Sequence, residues 1–232
     1  MSVDSSDTPT RFVLFLLGDR EDLIRQASYL LYGLKAFSGE GSEVVLVSDQ
    51  SGLFPGFDSW LRRVEVGEEE KESWLGKWKN FFRAKICAIK SASALGPADL
   101  VYLDTDIVVR KDLRTFRAAL AEGSAFMHKK EGPISNQKRS SNRKFRRQLV
   151  GRTIAGFSVG LEDSIWNAGV IGIPRQHIGL VDEALSFYDE ADVENYYLEQ
   201  FSFSQILQKR LALQEAEPWF LHYWGNKRGW QE

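Results

Sequence analysis

Two aspartates follow an apolar run, in the order Asp104-Thr105-Asp106 after residues 100–103. In an extended chain residues i and i+2 point to the same side, so Asp104 and Asp106 can converge on one object. Two carboxylates that close repel each other unless a cation or hydrogen-bond donors lie between them. Hard oxygen ligands suit Mg²⁺ or Mn²⁺, which commonly bind substrate phosphates as well, so the triplet indicates a metal site for a phosphorylated ligand. The alternative is a solvated turn after a strand, where Asp is common.

The elements around this triplet alternate between strand and helix. Apolar runs and helical spacing predict strands at 12–17, 43–47, 61–66, 100–103, 107–109, 125–128, 170–173 and 213–216, and helices at 21–37, 80–94, 113–121, 177–190 and 197–211. In the second helix we expect Phe82, Ile86 and Ile89 to point inward. This alternation predicts an α/β layered fold, in which ligands bind at the carboxyl ends of the strands.

Three aspartates, Asp19, Asp49 and Asp104, follow predicted strands and are expected to share one edge of the sheet. No Gly-x-Gly-x-x-Gly follows the first strand, and Gly-Lys-Ser/Thr does not occur in the sequence. This disfavours a classical dinucleotide site or a P-loop.

Composition bounds the class of protein. At 232 residues, with 43% apolar and 27% charged residues, the chain suits one soluble globular domain. The apolar run at 12–17 is too short for a membrane span and lacks the features of a signal peptide, so neither is expected. The single cysteine, Cys87, excludes an internal disulfide and fits a reducing compartment, which predicts a cytoplasmic protein with Cys87 buried on a helix.

The charge is unevenly distributed. The net charge is −2, yet residues 129–152 hold nine Lys or Arg against one acid, Glu131, which gives +8 here and −10 elsewhere. This basic segment is interpreted either as a solvated or mobile loop or as an insertion that recognises an acidic acceptor. A third hypothesis is a module that binds nucleic acid or an anionic membrane surface. Nucleic acid is disfavoured because Phe145 is the only aromatic residue available for base stacking.

Three further motifs accompany the acidic triplet: Asn167-Ala168-Gly169-Val170, the pair Glu199-Gln200, and His222-x-x-Gly225 running to Trp230. Taken singly each is weak. The first can be a turn entering a strand, and a lone histidine is more often a hydrogen-bonded residue in packed surroundings than a ligand.

In order and spacing, these motifs resemble the retaining GT-A glycosyltransferases, in particular the glycogenin and galactosyltransferase-like group called family 8. That group typically carries Asp-x-Asp, a strand with Asn-(Ala/Ser)-Gly-Val, an Asp-Gln pair and His-x-x-Gly-x-x-Lys-Pro-Trp. The chain departs from this pattern with Glu199 for Asp, Arg228 for Lys and Gly229 for Pro. Because Lys227 precedes Arg228 and either cation neutralises a phosphate, which of them contacts a diphosphate stays open.

The resemblance implies one domain over 1–232 with a Rossmann-like GT-A fold and a mostly parallel central sheet. It also implies a basic insertion at about 129–152 and a C-terminal lid at about 219–232. The implied activity is metal-dependent transfer of a sugar from a nucleoside-diphosphate donor, expected to be a UDP-sugar, to an acceptor hydroxyl. Retention is implied, with the leaving phosphate itself accepting the proton of the acceptor.

The resemblance also implies roles for individual residues. It places Mn²⁺, or Mg²⁺, on Asp104, Asp106 and His222, with Asp104 alternatively on the ribose, since Mn²⁺ better accepts mixed carboxylate and imidazole ligands. Asn167, Glu199 and Gln200 are predicted to face the sugar and the acceptor. The residues predicted to bind the nucleotide and its diphosphate are Gly18, Asp19, Asp49, Arg83, Lys85, Asp104, Thr105, Gly225, Lys227 and Arg228.

Two other interpretations compete with this one. Asp104-Thr105-Asp106-Ile107-Val108 also matches the nucleophile motif of haloacid-dehalogenase-type phosphatases, although that motif normally lies near the start of the chain. The other competitor is the polyanion-binding module over 129–152. Among the tryptophans, Trp166 and Trp224 are predicted to be better sugar-stacking candidates than Trp74 and Trp78.

Overall fold

The computed structural model describes residues 9–136 and 140–223. Within these ranges the strands are β1 (Thr10–Leu16), β2 (Ser42–Ser48), β3 (Leu61–Glu65), β4 (Asp99–Leu103), β5 (Ile107–Val109), β6 (Ala125–Pro133), β7 (Thr153–Ile154), β8 (Phe157–Ser158), β9 (Ser164–Ile173), β10 (Leu213–Glu215) and β11 (Phe220–His222). The helices are α1 (Glu21–Phe37), α2 (Glu68–Leu75), α3 (Phe81–Ser93), α4 (Arg114–Ala121), α5 (Ser140–Leu149), α6 (Leu180–Ala191) and α7 (Leu198–Arg210).

Among the described residues, seven strands form the central sheet in the order β10-β6-β9-β4-β1-β2-β3. β9 is antiparallel to both of its neighbours, β4 and β6, whereas the other four pairings are parallel. The sheet is thus mixed but mostly parallel, and the predicted α/β layered fold is confirmed.

The apolar run of β1 is buried on both faces of the sheet. Phe12 and Leu14 pack into a core layer with α1 and α4, whereas Val13 and Phe15 pack into the layer with α3, α6 and α7. Alternate residues of a strand point to opposite faces, so a strand covered by helices on both sides must be apolar throughout.

The strand order brings the ends of β1, β2 and β4 to one edge of the sheet. β1 lies between β2 and β4, with Leu16 opposite Ser48 and Leu14 opposite Leu103. Because these three strands are parallel, their carboxyl ends share that edge, and the acids that follow them are neighbours in space. This edge is called the carboxyl edge below.

Several local predictions were wrong. Phe82 is exposed rather than inward, whereas Lys85 on the same helix is buried, because polar partners on other elements surround it. Asn167, Ala168 and Gly169 lie inside β9 rather than in a turn before it. Helix α2 and the β7–β8 pair were not predicted, since none of the three carries a clear apolar period.

The basic segment is not a loop throughout. β6 continues to Pro133, beyond the predicted end at residue 128, and α5 occupies Ser140–Leu149. Phe145 and Leu149 anchor α5 in the core, and Arg143, Lys144 and Arg147 are exposed. The segment is therefore an amphipathic element whose cations lie on its outer face.

Cys87 is buried on α3, as predicted, and is a free thiol. No helix of the described part of the chain is long and apolar enough to cross a membrane.

Arg117 on α4 fastens the turn between α1 and β2. Its guanidinium donates to the carbonyl oxygens of Ser38, Glu40 and Gly41 at 2.7 to 3.0 Å.

Arg117→Lys should lower the free energy of unfolding by about 2 kcal/mol, because the lysine ammonium cannot donate to all three carbonyls as the guanidinium does. The matched control is Arg114→Lys in the same helix, whose partner is the nearby exposed Asp112, and it should leave stability almost unchanged. Urea unfolding compares them, and equal losses would contradict this role of Arg117.

Candidate functional site

Two strands outside the main sheet bring the predicted metal ligands together. After β4 the backbone turns at Thr105 and Asp106, and the Asp104 N–H donates to the Gly169 carbonyl at 2.9 Å. β5 then pairs antiparallel with β11, which places His222 opposite Ile107, directly beside Asp106. Residues separated by 116 positions in the sequence thereby become neighbours.

The ligand atoms of Asp104, Asp106 and His222 all lie within 4.8 Å of one another. His222 Nε2 is 3.0 Å from Asp106 Oδ1 and 3.9 Å from Asp104 Oδ2. Adjacent ligands of one six-coordinate ion lie about 3 Å apart, since each bond is ~2.1 Å long. This set is called the Asp-Asp-His group below.

Asn167 determines which nitrogen of His222 carries the proton. The Oδ1 of Asn167 accepts the Gly169 N–H at 3.0 Å and lies 2.8 Å from His222 Nδ1. An amide oxygen only accepts hydrogen bonds, so His222 Nδ1 carries a proton and donates to it, which turns Nε2 toward Asp106. Nε2 and Asp106 Oδ1 lie 3.0 Å apart, a separation that suits a proton or a shared cation between the two atoms. This donor set fits a divalent cation, with Asn167 orienting the imidazole ligand.

Gly169 leaves the space that the His222 ring occupies. A Cβ at position 169 would lie 2.3 Å from Nδ1 and 2.4 Å from Cε1 of His222. The Gly of the Asn-Ala-Gly motif is thus required by close approach of the imidazole, a reason that only the tertiary structure supplies.

His128, on β6, packs against the same imidazole. The two rings meet edge to face, with centroids 5.3 Å apart. Burial, and after it the proximity of His222, lowers the pKa of His128 to about 4. His128 is therefore neutral at physiological pH and serves as a packing surface for His222. Because His128 lies far from the motifs in the sequence, the sequence gave no sign of this contact.

Lys85 lies behind the Asp-Asp-His group and is 2% exposed. Its ammonium is 3.1 Å from Asp104 Oδ1, 3.1 Å from Glu199 Oε1 and 2.8 Å from the Ala168 carbonyl oxygen. It also lies 4.5 Å from the ring centroid of Tyr102, whose hydroxyl donates to Asp104 Oδ1 at 2.8 Å. Asp104 thus has one carboxylate oxygen held from behind, and its other oxygen is the one nearer His222.

The charges in this buried network shift each other. Burial alone would lower the pKa of Lys85, but the carboxylates of Asp104 and Glu199 together raise it, so Lys85 stays charged. Burial raises the pKa of Glu199 to about 7, although Lys85 opposes this shift. For Tyr102, burial and then the charge of Asp104 raise the pKa, so the phenol remains a hydrogen-bond donor.

Glu131 was not among the predicted site residues. It lies at an irregularity of the β6–β9 pairing, between Lys130 and Gly132. Its carboxylate accepts from Asn167 Nδ2 at 3.2 Å and from Gln200 Nε2 at 3.0 Å. Irregular strand positions often re-aim a side chain toward a site. The signal available in the sequence was that Glu131 is the lone acid of a strongly basic segment.

At the neighbouring strand ends, Gly18 and Asp49 lie together. The Gly18 N–H donates to Asp49 Oδ1 at 2.8 Å, and Lys71 Nζ contacts Asp49 Oδ2 at 2.9 Å. Burial alone would raise the pKa of Asp49, but the hydrogen bonds from Gly18 and Lys71 lower it overall. Asp19 is exposed, and Thr105 turns away to donate to Gln26 on α1 at 3.2 Å. Gly18, Asp49 and the Asp-Asp-His group therefore share the carboxyl edge.

Arg83 is not brought to the Asp-Asp-His group. Its guanidinium forms a two-point pair with Asp189 at 2.6 and 2.8 Å and also donates to the carbonyls of Ser73 and Trp74. Of the predicted catalytic residues, Glu199 is buried against Lys85, and Gln200 is only partly buried.

The predicted aromatic stacking candidates also differ in accessibility. Trp166 and Trp74 are buried, whereas Trp78 is 42% exposed. Predictions for Trp224, Gly225, Lys227, Arg228 and Trp230, and with them most of the predicted lid, lie outside the described residues.

Comparison with known proteins identifies the fold. No protein-family model and no curated protein matches the sequence. Among solved structures, apo mouse xyloside xylosyltransferase 1 has a TM-score of 0.56 at 12% identity, over 90% of this chain and 85% of that one. The WbbM bifunctional glycosyltransferase has a TM-score of 0.62 at 12% identity, and GlyE of Streptococcus pneumoniae has 0.51 at 15% identity. This chain is covered to 90% in both, but spans only 39% and 45% of those chains. The chain has the GT-A fold of these glycosyltransferases.

The Gly169 contact yields a prediction. In Gly169→Ala the new methyl group would displace the His222 ring, so Mn²⁺ affinity should fall at least ~10-fold while the circular dichroism spectrum is retained. Gly160→Ala is the control, because its Cβ would meet its nearest neighbour at 3.9 Å, an ordinary contact. Titration calorimetry measures both, and equal Mn²⁺ affinity in the two variants would contradict the packing described for His222.

The contacts of Lys85 yield a second prediction. Lys85→Met should lower the free energy of unfolding by ~3 kcal/mol, because it leaves buried carboxylates without their cation. Lys90→Met on the same helix removes an exposed lysine that pairs with Asp182, and should have little effect. A double-mutant cycle with Glu199→Gln should show a coupling of ~1 kcal/mol or more, and a coupling of zero would refute the network.

Proposed function

We propose that this protein is a metal-dependent glycosyltransferase that moves a sugar from a nucleoside-diphosphate donor to an acceptor hydroxyl. The observation that carries the proposal is the Asp-Asp-His group at the carboxyl edge of a GT-A sheet, with its imidazole oriented by Asn167. The fold supports sugar transfer as the class of reaction, and the ligand atoms of the Asp-Asp-His group support a role for a cation.

Asp104, Asp106 and His222 would hold the cation, and Mn²⁺ suits their mixed oxygen and nitrogen ligands. When bound, such a cation stabilises the negative charge that a diphosphate gains as it leaves a sugar. The chain itself keeps the ligands rigid. Tyr102 and Lys85 fix Asp104 from behind, and Asn167 fixes His222, so little reorganisation is needed during the reaction.

The donor nucleotide is proposed to lie along the carboxyl edge past Gly18, Asp19, Asp49 and Thr105. Gly18 has a φ of 77°, which lets the chain turn sharply where β1 ends. Lys71 compensates the charge of Asp49 there. A diphosphate contact by Arg83 would require the guanidinium to leave Asp189, so Lys85 is the better-placed cation near the leaving group.

The acceptor side is proposed to be formed by Asn167, Gln200 and Glu131. The Glu131 carboxylate accepts from both amide NH₂ groups and fixes the two side chains, so that Gln200 Oε1 would face the sugar and the acceptor while Asn167 Oδ1 orients His222. In the retaining reaction the acceptor oxygen bonds to the anomeric carbon, the bond to the diphosphate oxygen breaks, and the acceptor proton passes to that phosphate. No protein base is then needed, which agrees with Glu199 being paired with Lys85 rather than facing an acceptor.

The acceptor can also carry an acidic group. Arg143, Lys144 and Arg147 form the outer face of α5, in the segment that continues from Glu131. These three side chains form no ion pair with any described residue. Electrostatic attraction to this basic face would increase the association rate of a negatively charged acceptor.

The phosphatase alternative is weakened by the surroundings of Asp104. A phosphatase nucleophile must offer a carboxylate oxygen to phosphorus, but Asp104 Oδ1 is engaged by Lys85 and Tyr102 and Oδ2 faces His222. The GT-A fold supports the transferase instead.

Thermal-shift measurements test the proposed function directly. UDP with Mn²⁺ should raise the melting temperature, because a ligand that binds only the folded state stabilises it. The Mn²⁺-dependent part should vanish in Asp106→Asn and persist in Asp112→Asn, which changes an exposed acid just before α4. Hydrolysis of UDP-sugars, measured as UDP release, should show the same dependence. Binding that survives chelation, or hydrolysis of phosphomonoesters instead, would overturn the proposal.

A further inference from the structure

Two tyrosines precede the helix that carries Gln200. Tyr196 and Tyr197 occupy the turn before α7, and their ring centroids lie 4.2 Å apart. Tyr197 is partly buried and packs against the apolar core, whereas Tyr196 is 49% exposed. The inner ring thus supports the outer one, which offers flat apolar surface to a ligand.

Gln200 and Glu131 lie beside this pair of rings. The Phe201 N–H donates to the Tyr197 carbonyl at 2.9 Å, so helical geometry already begins at Tyr197. Tyr197 and Gln200 are therefore i and i+3 on one face of α7, where a side chain leans back over the turn that precedes it. The Nε2 of Gln200 donates to Glu131 at 3.0 Å. Tyr196, Tyr197, Gln200 and Glu131 are called the tyrosine surface below.

The tyrosine surface adjoins the Asp-Asp-His group through direct contacts. Glu131 is exposed and lies in the part of β6 that pairs with β9 beyond the end of β4. Its carboxylate accepts from Asn167 Nδ2, and Asn167 Oδ1 is 2.8 Å from His222 Nδ1. One side chain, that of Asn167, therefore separates a ligand at Glu131 from the imidazole of the group. Such a ligand need not reach a buried atom, because Glu131 and Tyr196 are both exposed.

The strand order separates this surface from the nucleotide side. In the sheet order β6-β9-β4-β1-β2, Glu131 and Asn167 lie on one side of Asp104. Gly18 and Asp49, which follow β1 and β2, lie on the other side. Two ligands can therefore meet at the Asp-Asp-His group from opposite sides.

We propose that the tyrosine surface binds a saccharide ring of the acceptor, stacked on Tyr196 and hydrogen-bonded to Glu131. The inference rests on the proposed function and names the chemical class and the place of its second substrate. An aromatic face suits the C–H groups of a sugar ring, and a carboxylate suits its hydroxyl groups. Each Glu131 oxygen accepts one amide N–H, which leaves it a further lone pair for a sugar hydroxyl.

Charge limits what this ring can carry. The Glu131 carboxylate repels an anionic group placed beside it, so the ring at Glu131 is a neutral sugar. Helix α5 adjoins α7, because Phe145 packs against Phe201 with ring centroids 5.3 Å apart. An acidic group of the acceptor would therefore lie further out, toward the basic face of α5.

Saturation-transfer NMR on the full chain tests the proposal, because it detects a saccharide through its own C–H protons. The probes are lactose, maltose and methyl β-xyloside, each titrated in the presence of UDP and Mn²⁺. At least one of them should bind in a saturable manner. Tyr196→Ala should weaken that saccharide roughly five- to tenfold, whereas Tyr196→Phe should stay within about twofold because it keeps the ring. Glu131→Gln should weaken it about tenfold, the effect of a lost hydrogen bond to a charged group.

Tyr32→Ala is the matched control, since it removes a tyrosine that is 65% exposed on α1 and should leave saccharide binding unchanged. Equal saccharide affinity in Tyr196→Ala and Tyr32→Ala, or no binding of any of the three saccharides, would overturn the proposal. Weaker UDP binding in Tyr196→Ala would assign the ring to the nucleobase and overturn it as well. Absence of Mn²⁺-dependent UDP binding in the unaltered protein would instead refute the proposed function, so the two failures are distinguishable.

Discussion

A buried ammonium holds the functional edge of this protein together. Lys85 on α3 contacts Asp104 after β4, Glu199 on α7 and the Ala168 carbonyl of β9, so four elements meet at one cation. A lysine is rarely buried fully because its desolvation is costly, and it remains charged here only because two carboxylates and a carbonyl surround it. Tyr102 also donates to Asp104, whose other oxygen lies nearer His222, so Asp104 links the buried network to the Asp-Asp-His group.

The same constraint also shapes the Asp-Asp-His group, whose residues could hold a metal ion. Lys85 neutralises charge on one side of Asp104 but shares itself with Glu199, so it does not compensate Asp106. On the opposite side, Asn167 orients the His222 ring so that Nε2 faces Asp106. Two carboxylates and one imidazole therefore converge at one point of the carboxyl edge. The network that makes the edge rigid also orients the three groups that we propose as ligands of a divalent ion.

Much of the local structure could be predicted from periodicity. Helix α1, Glu21–Phe37, and strand β5, Ile107–Val109, have the predicted bounds, since apolar spacing and the flanking Gly and Asp mark their ends. Periodicity failed where tertiary partners decide. Lys85 is buried because it pairs with carboxylates that are distant in the sequence. β6 extends into the basic segment because its later residues pair with β9. A polar sequence without apolar spacing gives no local sign of either.

The acidic triplet, the Asn-Ala-Gly motif and the terminal histidine were visible in the sequence because each combines chemically distinctive residues in a short span. Their residue types predicted a cation and a phosphorylated ligand as the partners of this chain. Only the tertiary structure decided how they meet. The β5–β11 pairing sets His222 beside Asp106, Gly169 leaves room for its ring, Glu131 joins Asn167 to Gln200, and Arg83 turns to Asp189. Contacts between residues about a hundred positions apart depend on strand order and register, and a short sequence motif specifies neither.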